Sequence, residues 1–408
     1  MAFNRKRIPN ASKMRPLAIV ATHPIQYQAP VWEEVRQLGV PTHLIYGSDF
    51  SVVGYRDEEF GTAFSWDVNL VPEPSVCTFL SRADARGARD VSSVRAAGIG
   101  SVLDRLAPGA VLLSGYGCRF HIDSFRAALF RRIPIMFRAE TTDHARTRSA
   151  LSSALRFIFL RALYSRFDRL LPIGVKSYAH YRSLGCPGDK LVFSPYCVDI
   201  RPFQADGRYR EAFRSSVRRE LGLDETDMVL LFCGKLSQRK GVHLLAPALR
   251  LLNEDLRNKV AVLFVGDGME REELAAACQG HPAVRARFIG FKNQRELSPY
   301  YHASDAFVLP SIAGETWGLV VNEALHHGLP CAVSDAVGCA PDLIENGETG
   351  YCCAAGDAEE LAIAIEKTLA LSQTEGCSDR CRAKVSGYSV TAAAKGIARA
   401  FHETVRAS

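Results

Sequence analysis

The sequence predicts an α/β protein made of two doubly wound, Rossmann-like domains that face each other across a cleft. Three observations predict it. The chain has 408 residues, more than one ordinary core accommodates. Short apolar runs alternate with longer amphipathic segments almost throughout, the pattern of a parallel sheet covered by helices on both faces. The alternation breaks once, at 202–210, and then resumes. Residues 1–13 are read as a basic disordered tail, with Met14 an alternative start. Residues 14–203 form the first domain and 204–387 the second. A closing helix, 388–408, follows both series and is expected to pack back on the first domain.

Within the first domain, apolar runs at 17–21, 42–46, 110–113, 134–137, 169–172 and 191–193 predict strands, each bounded by Gly, Pro or polar residues. Helical spacing of apolar residues at 28–38, 91–105, 121–131, 150–165 and 174–184 predicts the helices between them. The segment 202–210, with Pro202 and Gly207, reads as a linker. The second series has strands at 228–233, 260–265, 287–289, 306–309, 331–333 and 350–352. Its helices fall at 242–253, 270–279, 294–303, 317–327 and 358–371, with the last helix of the chain at about 390–405.

A hydrophobic content of 47% and a charged content of 23% are those of a soluble globular chain. No apolar run reaches the length of a membrane span. The opening MAFNRKRIPNASKMRP is basic but lacks the order of a secretory signal. Twelve cysteines are scattered without the spacing of a zinc site, which suits a reduced, cytoplasmic setting. The net charge of +6 is uneven: residues 1–200 hold 26 Lys/Arg against 17 Asp/Glu, a balance of +9, and the remainder holds 24 against 27, a balance of −3. A basic first half suggests an anionic partner, a membrane surface or a phosphate-bearing molecule. Nucleic acid is not expected, since no recognition helix or aromatic RNA-binding motif is present. Segment 149–171 places Arg156, Arg161, Arg166 and Arg169 among Leu, Ile and Phe. It reads either as an amphipathic helix on an anionic membrane at the inner face or as an ordinary domain helix with a wet arginine face.

The stretch 314–328, GETWGLVVNEALHHG, carries the most chemistry. Glu315 and Glu323 lie eight positions apart across a loop-to-helix junction. Gly314 and Gly318 leave the backbone uncrowded, and the helix start offers N–H groups and a positive dipole end to a phosphate. Ionised carboxylates accept from sugar hydroxyls. Together these point to a ligand that is part diphosphate and part sugar. In 233–241, CGKLSQRKG, Gly234 relieves a strand exit, and Lys235 and Lys240 form a candidate diphosphate clamp. Gly266 and Gly268 in 265–268 read as a turn. Gly338, in 335–341, permits close approach of a phosphate to the backbone. In 21–28, His23, Gln26 and Tyr27 follow the first strand of the chain. In 137–144, Arg138, Glu140, Asp143 and His144 are a candidate acceptor site or a solvated loop.

Taken together these residues resemble the retaining glycosyltransferases of family 4, of GT-B architecture, most strongly over 228–371. The matching residues are Gly234, Lys235, Leu236, Lys240 and Gly241; then Pro310, Ser311, Glu315, Gly318, Glu323, Ala324, Gly328, Leu329 and Pro330; then Gly347 and Gly350. The stretch His23-Pro24-Ile25-Gln26-Tyr27 resembles a subgroup of that family, and Cys197-Val198-Asp199 stands where the family usually has Asn-Gly-Val-Asp. The resemblance implies a sugar moved from a nucleotide diphosphate, UDP before GDP, to an acceptor hydroxyl on a glycan, a lipid-linked sugar or a small molecule, in polysaccharide or glycolipid assembly. It implies Glu315 on the hydroxyls of the transferred sugar and Glu323 on the ribose. It implies Lys235 and Lys240 on the diphosphate, helped by Gly318 and Leu319. Phe291 and Lys292, after Gly290, would lie on the base, with Thr316, Trp317 and Gly338 lining the site. No metal and no cofactor are implied. Two departures stand out: lysine replaces the usual arginine at 235, and the first-domain histidine is missing, with Glu140 near its place and His144 one turn on. The rival readings are a nucleotide-sugar epimerase and a catalytically idle sugar-binding or membrane scaffold.

Overall fold

The computed structural model describes residues 14–52, 55–56, 63–64, 69–71, 73–81, 94–141, 150–280 and 284–407; the expected tail at 1–13 lies outside them. In the first domain the elements are β1 (Leu17–Ala21), α1 (Ala29–Gln37), β2 (Thr42–Tyr46), β3 (Tyr55–Arg56), β4 (Ala63–Phe64), β5 (Cys77–Phe79), α2 (Ile99–Leu106), β6 (Ala110–Leu113), α3 (Arg119–Phe130), β7 (Ile135–Phe137), α4 (Ala150–Tyr164), β8 (Arg169–Leu170) and α5 (Val175–Ser183). The second domain has α6 (Arg210–Leu221), β9 (Met228–Cys233), α7 (Leu245–Leu251), α8 (Glu254–Arg257), β10 (Val260–Val265), α9 (Arg271–Gln279), β11 (Arg285–Gly290), α10 (Gln294–Ala303), β12 (Ala306–Leu309), α11 (Leu319–His326), β13 (Cys331–Ser334), α12 (Ala340–Leu343), β14 (Gly350–Cys353), α13 (Ala358–Ser372) and α14 (Cys377–Ser386). Helix α15 (Val390–Ala407) closes the chain.

Two six-stranded sheets result, in the orders β5-β2-β1-β6-β7-β8 and β11-β10-β9-β12-β13-β14. Every pairing in both is parallel. The two expected doubly wound domains are therefore present. The central strands are apolar on both faces because helices cover both: β1 is buried at every position, and so is β10. In each sheet the winding reverses beside the first strand, between β1 and β6 and between β9 and β12. Loops at such a reversal diverge and leave a crevice at the carboxyl ends of the strands. The crevice of the second sheet is bounded by 234–241 and 310–318, the two loops richest in candidate site residues.

Helix α15 lies on the first domain. Its Ala393, Ile397 and Phe401 share a core with Leu17, Ile19 and Trp32. The domains also touch directly. Asp342, within the short helix α12, accepts from the Val175 N–H at 2.9 Å and so caps α5 from across the boundary. Lys176 donates to the Asp335 carbonyl at 2.7 Å and to that of Val337 at 3.1 Å.

Three differences from the expected elements have local causes. The run 191–193 pairs only through Leu191 with Leu170, so it extends β8 by a single bridge. Strand β5 at the sheet edge went unpredicted because Cys-Thr-Phe is too short to register as an apolar run. Where a linker was expected, a 3-10 turn at Gly207–Tyr209 leads straight into α6. Helix α6 reads as solvated, REAFRSSVRREL, yet Arg218 is fully buried. Its Nη2 meets Asp305 Oδ2 at 2.8 Å, its Nε donates to the Ala303 carbonyl at 3.0 Å and Arg214 meets the same carboxylate at 2.9 Å. This network fastens α6 to the head of β12. Arg218→Ala should lower unfolding free energy by about 3–5 kcal/mol, because it leaves Asp305 buried with its charge poorly matched. Denaturant midpoints check this, and a loss under about 1 kcal/mol would mean the pair is not fastening the helix.

Candidate active site

In the second domain the loops that follow β9 and β12 meet backbone to backbone. Beyond β9 the chain turns through Gly234 and a short 3-10 turn to Gly241. At Gly241, with φ of 69°, a Cβ would stand 2.0 Å from the Pro310 carbonyl oxygen, so only glycine lets this turn press on the end of β12. That approach brings Lys240 beside Glu315: Lys240 Nζ donates to Glu315 Oε2. Ser311 Oγ donates to the same oxygen at 3.2 Å, and Arg239 Nη1 lies 3.8 Å from it. Glu315 is 8% exposed and Lys240 is part-buried, so the pair sits in the crevice wall rather than on open surface. Lys235 is half-buried on the same turn. At the far side Gly318 ends the loop, and Leu319 begins α11 with first-turn N–H groups that have no partner within the helix.

Glu323 lies one turn into α11 and is 6% exposed. Tyr301, from α10, donates its hydroxyl to Glu323 Oε2 at 2.7 Å. Burial pushes the Glu323 carboxyl up to about 7, and the Tyr301 hydrogen bond offsets only part of that. Both glutamates thus stand at the same crevice with one oxygen already engaged by the protein.

On the first domain, Glu140 follows β7 and is the hub of three hydroxyls. It accepts from Tyr196, from Tyr27 at 3.3 Å and, across the domain boundary, from Thr316 beside Glu315. Burial, with Glu140 adding to it, holds both tyrosine hydroxyls far above their usual range, so they stay protonated donors. A cavity of about 360 Å³ opens beside Glu140, lined also by Gln28, Tyr116, His121 and Arg138. A second, of about 750 Å³, lies between the domains, lined by Gln26, Glu33, Asp199, Arg201, Gln294 and Arg295.

Residues 213–383 match the protein family described as glycosyl transferases group 1. The second domain carries a group 1 glycosyltransferase domain. Among curated proteins, the amylovoran biosynthesis glycosyltransferase AmsK of Erwinia amylovora is 28% identical over 219 residues, 52% of this chain and 49% of that one. The sulfoquinovosyl transferase SQD2 of Arabidopsis thaliana is 34% identical over 167 residues, 40% of this chain and 31% of that one. The chain thus spans about half, or less, of the length of these relatives. Among solved structures, Anabaena HepE in complex with UDP superimposes with a TM-score of 0.69 at 18% identity, covering 96% of this chain and all of that one (100%). Sucrose-phosphate synthase from Thermosynechococcus elongatus gives 0.66 at 17% identity, covering 97% and 100%. The fold is GT-B.

Within the group 1 domain the structure brings together Gly234, Lys235, Lys240, Glu315, Thr316, Gly318, Leu319 and Glu323. Two residues read as lining the site have other work. Trp317 is 3% exposed, gives its indole N–H to Asn322 Oδ1 at 2.9 Å and packs against Tyr196 of the first domain, so its side chain fixes the loop instead of meeting a ligand. At Gly338 a Cβ would stand 1.9 Å from the Thr316 carbonyl oxygen, so the close approach this glycine allows is that of the chain itself. Phe291 and Lys292 follow Gly290 at the end of β11, which accepts from the Gly266 N–H at 2.9 Å, and Gly266 in turn packs on the Gly234 turn; Lys292 lies 3.6 Å from Glu296 and over the Tyr300 ring.

On the first domain Gln26 lines the larger cavity and Tyr27 the smaller. His23 lines neither: its ring packs tilted against Phe50 with centroids 4.4 Å apart, it shares a hydrogen bond with Thr22, and burial holds its imidazole pKa down to about 4. Arg138 is buried and donates to Ser194 Oγ at 2.9 Å and to the Pro195 carbonyl at 2.7 Å, which fixes the segment bearing Tyr196. His144 lies outside the described residues. Sequence reasoning missed Tyr301 and Tyr196, whose partners are 22 and 56 residues away.

An acid whose folded-state pKa is raised keeps its proton longer in the folded chain. Glu323 therefore lowers stability as pH rises from 4.5 through about 7. Glu323→Gln should flatten that part of the curve in the ligand-free protein, read from denaturant midpoints. An unchanged slope would contradict the burial assignment.

Proposed function

We propose that the chain is a retaining glycosyltransferase that moves a sugar from a nucleotide diphosphate sugar, a UDP-sugar first, to an acceptor hydroxyl in polysaccharide or glycolipid assembly. The observation that carries the reading is the Lys240–Glu315 pair at the winding reversal of a group 1 domain. It sets a cation and a hydroxyl-accepting carboxylate side by side where a parallel sheet presents its ligand site. The AmsK relative and the UDP complex of HepE support the same direction.

In this reading Lys235, Lys240 and the first turn of α11 face the diphosphate and Glu323, held by Tyr301, accepts from the ribose. Glu315 accepts from hydroxyls of the transferred sugar. The acceptor oxygen bonds to the anomeric carbon on the face the phosphate leaves; the C–O bond to the diphosphate breaks, and the departing phosphate oxygen takes the acceptor's proton. The cations and the helix end stabilise the charge that develops there, the task a metal performs elsewhere. Glu140, tied to Thr316, stands at the seam where the acceptor would meet the sugar. An epimerase is not favoured, since the matched family and the named relatives are transferases.

Helix α4 extends the reading to a membrane setting. Leu155, Ile158 and Phe159 are 62, 65 and 58% exposed, with Arg161 and Arg166 exposed beside them. No helix among the described residues is long and apolar enough to cross a bilayer. We read α4 as a peripheral contact with an anionic inner leaflet. Co-sedimentation with phosphatidylglycerol vesicles should be strong at low salt and fall at high salt, and equal recovery with neutral vesicles would remove the idea.

Lys240→Ala should weaken UDP binding by about 1.5–3 kcal/mol, the scale of a charge-assisted hydrogen bond, measured by calorimetry. Unchanged affinity for UDP and for GDP would count against the clamp. Glu323→Ala should abolish most transfer while the chain stays folded; undiminished turnover would refute the ribose role.

A further inference from the structure

The cavity beside Glu140 contains an acceptor group that the protein itself leaves idle. Gln28 is 8% exposed and lines the cavity. Its Oε1 is buried with no hydrogen-bond partner among the described residues. Gln28 stands at the N-cap of α1, yet its side chain makes no capping bond, so helix geometry does not account for it. A buried amide oxygen without a donor is costly unless something supplies one.

The rest of the lining decides what that something is. Glu140 is a carboxylate, which accepts only. Tyr27, Tyr116 and Tyr196 offer aromatic faces, with the Tyr27 and Tyr196 hydroxyl hydrogens already given to Glu140. His121 is held down to about 4 by burial, and the nearby His23 adds to the effect, so it is neutral at ordinary pH. Among the described residues the one cation in the lining is Arg138, already donating to Ser194 and Pro195 and facing the Glu140 charge. Three hydroxyls already occupy Glu140, which as a carboxylate has about four acceptor positions; the cavity therefore keeps open acceptors at Glu140 and at the Gln28 oxygen, and no cation to spare. A phosphate brings only acceptors and negative charge at neutral pH, and would meet Glu140 and the Gln28 oxygen with repulsion. A sugar ring brings hydroxyl donors and an apolar face for the tyrosines.

We infer that this first-domain cavity takes an uncharged saccharide as the acceptor, with the Gln28 amide oxygen and the Glu140 carboxylate as its hydroxyl-recognising groups. The basic charge of the first domain then acts outside the cavity, at the surface. The inference rests on the glycosyltransferase reading and adds to it a substrate class and a specificity residue.

The test uses the full chain saturated with UDP. Saturation-transfer NMR is recorded with methyl glycosides, lactose and cellobiose, and with glucose 1-phosphate and glucose 6-phosphate. At least one neutral sugar should bind and the phosphates should not. Gln28→Leu should weaken the neutral sugar roughly three- to tenfold, the scale of one hydrogen bond, with UDP affinity unchanged. Gln28→Glu, which keeps an acceptor oxygen, should restore it. Phosphates binding more tightly than neutral sugars, equal neutral-sugar binding in Gln28→Leu, or no neutral sugar binding while UDP still binds would each overturn the inference. Failure of UDP itself to bind would sink the glycosyltransferase reading, a separately recognisable result.

Discussion

The contact between the Lys240 ammonium and the Glu315 carboxylate is the constraint on which the rest of the site depends. It exists because two loops from strands adjacent in the sheet, but far apart in the chain, are pressed together by a glycine that no larger residue could replace. The ammonium orients the carboxylate, and the carboxylate keeps the ammonium in the crevice instead of in solvent. The same loop leads into α11, which carries Glu323 one turn on. In the proposed reading a diphosphate needs concentrated positive potential and a sugar needs hydroxyl acceptors, and these two loops carry both kinds of group.

A second constraint ties this crevice to the first domain. Thr316 is the residue next to Glu315, and its hydroxyl is held by Glu140, which Tyr196 and Tyr27 hold in turn. Trp317, the following residue, is wedged against Tyr196. The loop that carries Glu315 is thus positioned from both domains. Asp342 capping α5 and Lys176 on the Asp335 and Val337 carbonyls make the same seam polar and specific. The contacts that join the two domains are therefore also the ones that position the Glu315 loop.

How much of this could be read from the sequence follows from how local each signal is. The doubly wound sheets were legible because strands such as LAIVA and VAVLFV are apolar at every position and are separated by helical periods. Glu315, Glu323, Lys235 and Lys240 were legible because glycines and strand ends mark the two loops that carry them. Helix α6 was hidden because its arginines look solvated until Asp305, 87 residues on, is seen to bury one. Trp317 was misplaced for the converse reason: an aromatic in a site loop reads as a ligand contact, and only the fold reveals Tyr196 beneath it. Gln28 gave no signal, since nothing in a sequence distinguishes a glutamine with an idle oxygen from a solvated one.

In the proposed reading the second-domain crevice grips a nucleotide diphosphate by its charge and its ribose. A crystal structure of the protein with UDP tests it most directly. The diphosphate should lie between Lys240 and the first turn of α11, with ribose hydroxyls within hydrogen-bond distance of Glu323. UDP bound elsewhere, or bound there with Glu323 still engaged by Tyr301 alone, would contradict it.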